Sequence, residues 1–224
     1  MMIPNVDDAL LPDALPIPPS PWPVTGSALV VIGHLSRARA RALAASPRGF
    51  IAPRLLGSLC VLGLIHYDTT PVGPYNELAL TPGVLWRQLP GLLISHMLVD
   101  STRSRMGGRA IWGLPKELAH FTWAEQQIAI TTPDAQPLLT AHWAAKKHAG
   151  HLLIPPAPII TLRGPRCQIF TMGGWAADVH RAKVTLDIPP ASPYAPLTAL
   201  VQGPYLAWHL GHFHLKISNP LDLL

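Results

Sequence analysis

The chain has 224 residues, of which 49% are hydrophobic and only 13% are charged. It is long enough to bury a sizeable core, and its low charge indicates a compact fold or an assembly of copies that covers much of the surface. The formal net charge of +5 is dispersed along the chain. Its densest basic group, Arg37, Arg39 and Arg41, is typical of one exposed helix, so we expect no nucleic-acid partner.

The apolar runs and the cysteines of the chain indicate its subcellular location. The apolar run that begins at Leu55 stops at His66, well short of the roughly 18 residues that a membrane-spanning helix needs. The N-terminus carries acids where a signal peptide would carry bases. Cys60 and Cys167 lie far apart, which does not indicate a disulfide framework. We therefore expect a cytoplasmic protein with no membrane partner.

Prolines divide the chain into short predicted elements. The 26 prolines disfavour long helices and favour short strands joined by turns. Residues 1–22 are predicted to form a proline-rich arm. The run SALVVIGHL then predicts a strand, and SRARARALAAS predicts a helix that ends before Pro47. From Arg54 onward, short β-like runs punctuated by Pro or Gly indicate an all-β sandwich or barrel, with residues 23–224 as a single domain.

Lys116 lies in the unusual stretch GGRAIWGLPKELAHF. The chain has few lysines, and this one follows Trp112, Leu114 and Pro115. A free lysine has a pKa of about 10.4. Burial in an apolar pocket would lower that pKa and make the amine nucleophilic at neutral pH. The alternative is an ordinary surface ammonium that follows a turn.

Two motifs together resemble the acetoacetate decarboxylase-like superfamily. The first motif, GPYNE, carries one acid between turn residues and an apolar strand. The second motif, GRAIWGLPKELA, follows it. The matching residues are Gly73, Pro74, Tyr75 and Glu77 in the first motif, and Gly108, Arg109, Trp112, Gly113, Pro115, Lys116 and Ala119 in the second. Either motif alone is a weak signal, whereas the pair in this order and spacing is fairly specific.

The resemblance implies a fold and a chemistry. The fold is a mainly β, mostly antiparallel barrel or cone with a few short helices and an internal pocket, usually in a homo-oligomer. Lys116 would form a Schiff base with a carbonyl group of the substrate, and Glu77 would move protons or position the substrate. The protonated imine accepts electrons from the adjacent carbon, which allows decarboxylation or aldol chemistry. No cofactor is needed, and the expected partner is a small-molecule carbonyl compound.

The chain departs from the family pattern at three places. The decarboxylases of this family typically carry a second lysine directly after the nucleophile, and its positive charge helps to deprotonate the reacting amine; here that position is Glu117. The family holds the substrate carboxylate with an arginine near the N-terminus, but no Lys or Arg precedes Arg37. A further pocket acid upstream of Glu77 is replaced by an apolar stretch. These departures point away from acetoacetate itself.

Four further residues are candidates for substrate binding. Arg109 offers a guanidinium fork to a substrate carboxylate, or it forms a structural ion pair with an acid on a neighbouring strand. Tyr75 could lend its hydroxyl group to the pocket or cover the core. Trp112 would form part of the apolar wall beside Lys116. His96, in an apolar run, could line the pocket or be a core histidine.

Two other groups of residues are assigned no site. Arg103 and Arg105 share the predicted loop STRSRMGG and are expected to be solvated. In the run HLGHFH, His212 and His214 would share a strand face, but no third ligand has standard spacing. We therefore predict no metal site.

Two hypotheses follow for function. The first is a Schiff-base-forming lyase that acts on a keto acid or related carbonyl compound, as a decarboxylase or an aldolase-dehydratase. The second is a non-catalytic family member that binds a small apolar or carbonyl ligand. The state of Lys116 distinguishes them, because an enzyme of this type needs a deprotonated amine.

Overall fold

The structure is a computed structural model that describes residues 16–44, 59–86, 90–163 and 166–223. Most of the predicted arm, residues 1–15, lies outside these ranges. Its last part runs into the first strand, where the indole Nε1 of Trp22 donates a hydrogen bond of 3.0 Å to the carbonyl oxygen of Pro18. None of the helices in the described ranges has the length and hydropathy needed to cross a membrane.

The described residues form mainly strands, with two short helices. The strands are β1 (Trp22–His34), β2 (Leu59–Thr69), β3 (Tyr75–Thr81), β4 (Val84–Trp86), β5 (Pro90–Leu93), β6 (His96–Val99), β7 (Lys116–Leu118), β8 (His120–Ala124), β9 (Gln127–Thr131), β10 (Pro137–Arg163), β11 (Arg166–Asp187), β12 (Tyr205–Ile217) and β13 (Leu221–Leu223). The helices are α1 (Arg37–Leu43) and α2 (Thr102–Trp112), and a 3₁₀ helix covers Ala195–Leu200. The predictions of a mainly β fold and of a helix in SRARARALAAS are confirmed.

The strands belong to one sheet in the order β4-β5-β10-β11-β12-β1-β2-β3-β6-β7, with β13 beside β11 and with β9 joining β8 to β10. Most pairs are antiparallel, and two pairs, β5 with β10 and β6 with β7, are parallel. Among the described residues the end strands β4 and β7 do not pair with each other. The sheet is therefore open, as a cone, and is not a closed barrel.

Alternation along the strands gives the sheet two apolar faces. Leu29 and Val31 of β1 lie in one core cluster, which α1 and the 3₁₀ helix cover. Ala28 of β1 lies in the other cluster, with Tyr67 of β2 and Trp112 of α2. Successive side chains of a strand point to opposite faces, so each strand contributes to both clusters. We call the second face, which α2 partly covers, the inner face.

The long hairpin of β10 and β11 corrects the expectation of short strands. β10 runs for 27 residues and β11 for 22 residues. Pro155 and Pro156 do not end β10, because the register shifts between Ile154 and Ala157. A bulge places prolines where the ladder lacks a hydrogen bond, so proline is tolerated there.

Helix α2 corrects a second expectation. The sequence predicts a loop for STRSRMGG and part of a strand for AIW, but both stretches belong to α2. The Ser101 side chain accepts a hydrogen bond from the backbone N–H of Ser104, and Gly113 ends the helix with a φ of 63°. These are ordinary cap signals. The expectation of a solvated Arg105 is wrong, since only 7% of this residue is exposed.

Candidate functional site

Glu77 and Lys116 meet on the inner face of the sheet. Glu77 in β3 pairs with Val99 of β6, and Lys116 in β7 pairs with Met97 of the same strand. Paired residues, and residues two apart in a strand, point to the same side. The ammonium Nζ of Lys116 lies 2.7 Å from Oε2 of Glu77, and the two side chains are 3% and 4% exposed. The two motifs thus form one buried ion pair.

The turn after α2 sets the direction of Lys116. Gly113 adopts the left-handed conformation that ends the helix, and the backbone N–H of Lys116 then donates a hydrogen bond of 2.9 Å to the carbonyl oxygen of Leu114. Pro115, between them, has a fixed φ that suits so tight a turn. This turn starts β7 immediately beside the helix, and the lysine side chain passes back beneath α2.

Gly107 and Gly108 allow α2 to approach the sheet closely. A Cβ atom on Gly108 would lie 2.7 Å from both Cδ and Cε of Lys116. A Cβ atom on Gly107 would lie 2.7 Å from the ring of Trp22. Carbon atoms do not approach that closely without strain, so the paired glycines are required by packing.

Three hydroxyl groups complete the environment of the ion pair. Nζ of Lys116 donates a hydrogen bond of 2.8 Å to Oγ of Ser104, and it lies 3.4 Å from the hydroxyl oxygen of Tyr75. The hydroxyl group of Tyr67 donates to Oε1 of Glu77 at 3.1 Å, and that of Tyr75 donates to Oε2 at 3.4 Å. Sequence reasoning missed Ser104 and Tyr67. The cap residues Ser101 and Gly113 could have predicted α2, and with it the position of Ser104. The alternation of β2 could have placed Tyr67 on the inner face.

The ion pair controls the protonation of Lys116. Burial acts to lower the pKa of this amine, but the charge of Glu77 and the hydrogen bonds to Glu77 and Tyr75 act to raise it. The pKa lies above its ordinary value, because a close opposite charge favours the ammonium form. The expectation of a pKa lowered by burial is therefore wrong for the free protein. Burial also raises the pKa of Tyr75 to about 12, so its phenol is protonated at neutral pH.

Glu117 lies on the other side of β7 from Lys116. Its side chain is 64% exposed, and its Oε1 lies 2.7 Å from Nη2 of Arg109. The Nε of Arg109 donates a second hydrogen bond, of 2.8 Å, to the carbonyl oxygen of Lys116. Of the two interpretations of Arg109, the structural ion pair with an acid on a neighbouring strand is therefore present. The two contacts of Arg109 connect α2 to β7. Its role in holding a substrate carboxylate stays a prediction.

Trp112 packs in the core of the inner face, and His96 lies on the opposite face of the sheet. The indole of Trp112 donates to the carbonyl oxygen of Ser218 at 2.8 Å and packs edge-on against Trp22, with ring centroids 4.9 Å apart. His96 pairs with Leu80 of β3 and so points to the face opposite Glu77. Its ring contacts Tyr194 at 5.6 Å between centroids. The structure does not bring His96 to the site, because strand alternation turns it away.

A cavity of about 480 Å³ opens on the inner face. Strands β1, β2, β3 and β12 form its floor, and the β10–β11 hairpin contributes its rim. The ring of Tyr67 lines this cavity, while its hydroxyl group binds Glu77. Tyr67 therefore lies between the cavity and the ion pair.

The histidines of HLGHFH have separate surroundings. His214 stacks on Trp175, with ring centroids 4.2 Å apart. His212 and His148 both approach the carboxylate of Asp178, at 3.7 Å and 3.8 Å. Within the described ranges, no group of three or more His, Cys, Asp or Glu side chains has a geometry that could hold a metal ion.

The model of the acetoacetate decarboxylase (ADC) family matches residues 15–163, more than half of the chain, including both Glu77 and Lys116. The chain belongs to the acetoacetate decarboxylase family.

Curated relatives of this ADC-family chain come from plants. Protein NEOXANTHIN-DEFICIENT 1 of Arabidopsis thaliana is 33% identical over 104 residues, which cover 46% of the chain and 36% of that protein. The protein of the same name from Oryza sativa is 31% identical over 115 residues, which cover 50% of the chain and 37% of that protein. The chain thus spans little more than a third of the length of these relatives.

Solved structures share the ADC fold along nearly the whole chain. Acetoacetate decarboxylase from Legionella pneumophila has a TM-score of 0.66 at 14% identity, covering 99% of this chain and 96% of that one. An acetoacetate decarboxylase-like enzyme from Sphingomonas wittichii RW1 also has a TM-score of 0.66 at 14% identity, covering 93% and 94%. The enduracididine biosynthesis enzyme MppR, complexed with pyruvate, has a TM-score of 0.62 at 12% identity, covering 95% and 93%. At these identities the likeness shows the fold.

Proposed function

We propose that the protein is a Schiff-base-forming lyase in which Lys116 attacks a carbonyl compound and Glu77 moves the protons. The observation that carries the proposal is the contact of 2.7 Å between Nζ of Lys116 and Oε2 of Glu77, in a buried site beside an internal cavity. A keto acid or a related carbonyl compound is the substrate class. The proposal also includes a cytoplasmic location and a homo-oligomeric state, for which sequence composition is the only support.

The first chemical step is a proton transfer within the ion pair. Moving one proton from Nζ to Oε2 turns a charged pair into a neutral amine and a neutral acid. The distance of 2.7 Å lies within hydrogen-bond reach for such a transfer. Ser104 then stays in contact with Nζ and helps to hold the direction of its lone pair.

The neutral amine next attacks the carbonyl carbon of the substrate. A carbon–nitrogen bond forms, and the carbonyl oxygen takes one proton from the attacking nitrogen and one from Glu77 and leaves as water. The resulting iminium accepts the electron pair of a breaking bond at the adjacent carbon, giving an enamine. Tyr67 and Tyr75, as protonated phenols that donate to Glu77, stabilise the carboxylate when it reforms. Protonation of the enamine and hydrolysis of the imine release the product.

Similar carbonyl chemistry in a protein of this fold supports the proposal. MppR has been solved with pyruvate, and also with the condensation product of pyruvate and imidazole 4-carboxaldehyde. Both ligands contain or derive from a ketone next to a carboxylate. Decarboxylation and aldol-type condensation therefore both remain within the proposed reaction class.

One observation favours the alternative, a non-catalytic member that binds a small apolar or carbonyl ligand. Lys116 is buried against Glu77, and its pKa is raised. An amine in this state is a stable ammonium ion until a proton moves or a substrate enters. A binding protein would leave this pair undisturbed.

Borohydride trapping distinguishes the two functions. The protein is incubated with a panel of keto acids, ketones and aldehydes, reduced, and examined by intact-mass and peptide mass spectrometry. We expect a reduced adduct on Lys116 that disappears in Lys116→Ala and persists in Lys146→Met, which removes an exposed lysine. A folded protein that gives no adduct with any carbonyl compound would favour the binding function.

A further inference from the structure

The lining of the inner cavity consists mainly of apolar groups. Its volume of about 480 Å³ is in the range of small-molecule sites. Aliphatic and aromatic side chains from β1, β2, β3 and β12 make up its floor, with Val30 and Phe213 among them, and the lining residue His151 lies on β10 and is exposed. Within the described part of the chain, no Asp, Glu, Lys or Arg lines the cavity. A ligand that fills it must therefore be bound mainly by apolar contact.

The cavity reaches Tyr67, the residue that separates it from the ion pair. Tyr67 contributes its ring to the lining and its hydroxyl group to Glu77, 3.1 Å away. Ile65, another lining residue, pairs with Glu77 across the β2–β3 ladder. A linear molecule in the cavity would thus have one end beside Tyr67 and the acid.

On the β10 side the cavity lining includes apolar side chains that are exposed at the surface. Leu152 and Leu153 of β10 line the rim and are 40% and 76% exposed. Apolar side chains exposed in one patch commonly mark a binding site. A chain longer than the cavity would keep apolar contact as it leaves.

We propose that the substrate is an uncharged, largely apolar ketone or aldehyde, whose hydrocarbon chain fills the cavity and whose carbonyl group lies at the Tyr67 end. Burying a carboxylate without a cation is strongly unfavourable, and the described lining offers no Lys or Arg. This inference rests on the proposed function and narrows its substrate class, since the keto acids are removed.

The chemistry changes with the substrate. A substrate without a carboxylate cannot lose carbon dioxide, so the enamine must form by loss of an α-proton or by cleavage of an aldol bond. In the first case the carboxylate of Glu77 takes the α-proton, and the C–H electron pair neutralises the iminium nitrogen. Return of a proton to the same carbon only exchanges its hydrogen before water releases the ketone, so the lyase reaction for this substrate class is the cleavage of an aldol bond.

A matched pair of ligands tests the substrate class. One is a straight-chain methyl ketone of nine carbons, and the other is the 2-keto acid that carries a carboxylate in place of the methyl group beside the carbonyl, where the proposal buries it. Binding to the full chain is followed by calorimetry and by the change in total tryptophan fluorescence, to which Trp208 in the cavity lining contributes. We expect the ketone to bind at least about tenfold more tightly than the keto acid. Equal or tighter binding of the keto acid would overturn the proposal.

A cavity-filling variant tests the location. A Cβ atom on Gly63 would meet its nearest neighbour, the Cδ1 of Ile65, at 3.5 Å, an ordinary contact. A Cβ atom therefore fits at Gly63, and Gly63→Leu extends a larger side chain from a residue that lines the cavity. The control is Gly203→Leu, at an exposed position with nothing within 4 Å. We expect Gly63→Leu to keep its fold by circular dichroism and to lose ketone affinity by about tenfold or more, while the control binds normally.

The two proposals fail in different ways. Normal ketone binding by Gly63→Leu would overturn the cavity assignment. Ketone that binds in the cavity but gives no borohydride adduct on Lys116 would overturn the Schiff-base function and leave the ligand class standing. Efficient trapping of the keto acid on Lys116, with no adduct from the ketone, would overturn the apolar ligand class and leave the Schiff-base function standing.

Discussion

Replacing Glu77 by glutamine tests the buried ion pair directly. The substitution keeps the size of the side chain and removes its charge, leaving the ammonium of Lys116 without its closest partner. Both side chains are almost fully buried, and breaking such a pair costs about 3–5 kcal/mol of the free energy of unfolding. The matched control is Glu117→Gln, whose carboxylate is exposed and paired with Arg109. An exposed pair contributes about 0–1 kcal/mol.

The same variant changes how stability depends on pH. In the native protein the pKa of Lys116 is raised, so its ammonium form adds to the free energy of unfolding. This stabilisation is complete at pH values below the ordinary pKa of about 10.4. It is lost only as the pH rises through the raised pKa. In Glu77→Gln the effect of burial remains without the opposing charge, so the pKa falls below the ordinary value. The unfolded chain then binds more protons than the folded chain, and stability rises with pH up to about 10.4.

Urea unfolding at pH 7 and pH 9.5 measures both effects. We expect Glu77→Gln to lose several kcal/mol at pH 7 and to recover part of the loss at pH 9.5, at a slope of at most about 1.4 kcal/mol per pH unit. The native protein and Glu117→Gln should show no such slope from Lys116. A loss in Glu77→Gln no larger than that in Glu117→Gln, or a stability independent of pH, would refute the ion-pair reasoning.

Two further predictions concern Gly108 and His96. Gly108→Ala should lower the free energy of unfolding by about 1–3 kcal/mol, in spite of the higher helix propensity of alanine, because its Cβ would lie 2.7 Å from the Lys116 side chain. Thermal unfolding of this variant is compared with that of the control Gly203→Ala. Equal unfolding midpoints for the two variants would contradict the prediction. Burial lowers the pKa of His96, so the folded state takes up its proton less readily and stability should fall below about pH 6.5. His96→Gln should weaken that acid dependence, and an unchanged pH profile would speak against it.

The sequence singles out Glu77 and Lys116, which the structure brings together, because its two motifs carry unusual residues. Glu77 and Lys116 are ionisable side chains inside apolar runs, and burial of a single charge is unfavourable without a partner. The structure supplies that partner through the β3–β6–β7 ladder. The sequence alone could not give the sign of the pKa shift, which depends on the distance between the two groups rather than on the apolar neighbours.

The elements around the pair are harder to predict. Each of the two adjacent glycines destabilises a helix by about 1 kcal/mol relative to alanine, so the local sequence STRSRMGG favours a loop. Packing of α2 against Trp22 and Lys116 reverses that preference. Prolines ordinarily indicate strand ends, but in β10 a bulge accommodates Pro155 and Pro156. In both cases contacts distant in sequence decide the local structure.

The position of Glu117 bears on how Lys116 could react. Position 117 lies on the far side of β7 from the amine of Lys116, because successive strand residues alternate, and Glu117 is paired there with Arg109. A charge at this position is therefore not directed at the amine, and in the proposed mechanism the amine is freed by transfer of its proton to Glu77. That transfer removes two buried charges and creates none, so a raised pKa is compatible with imine formation once a carbonyl group arrives. In the proposed mechanism a substrate must also reach the pair from the cavity, and Tyr67, which lines the cavity and donates a hydrogen bond to Glu77, lies between them.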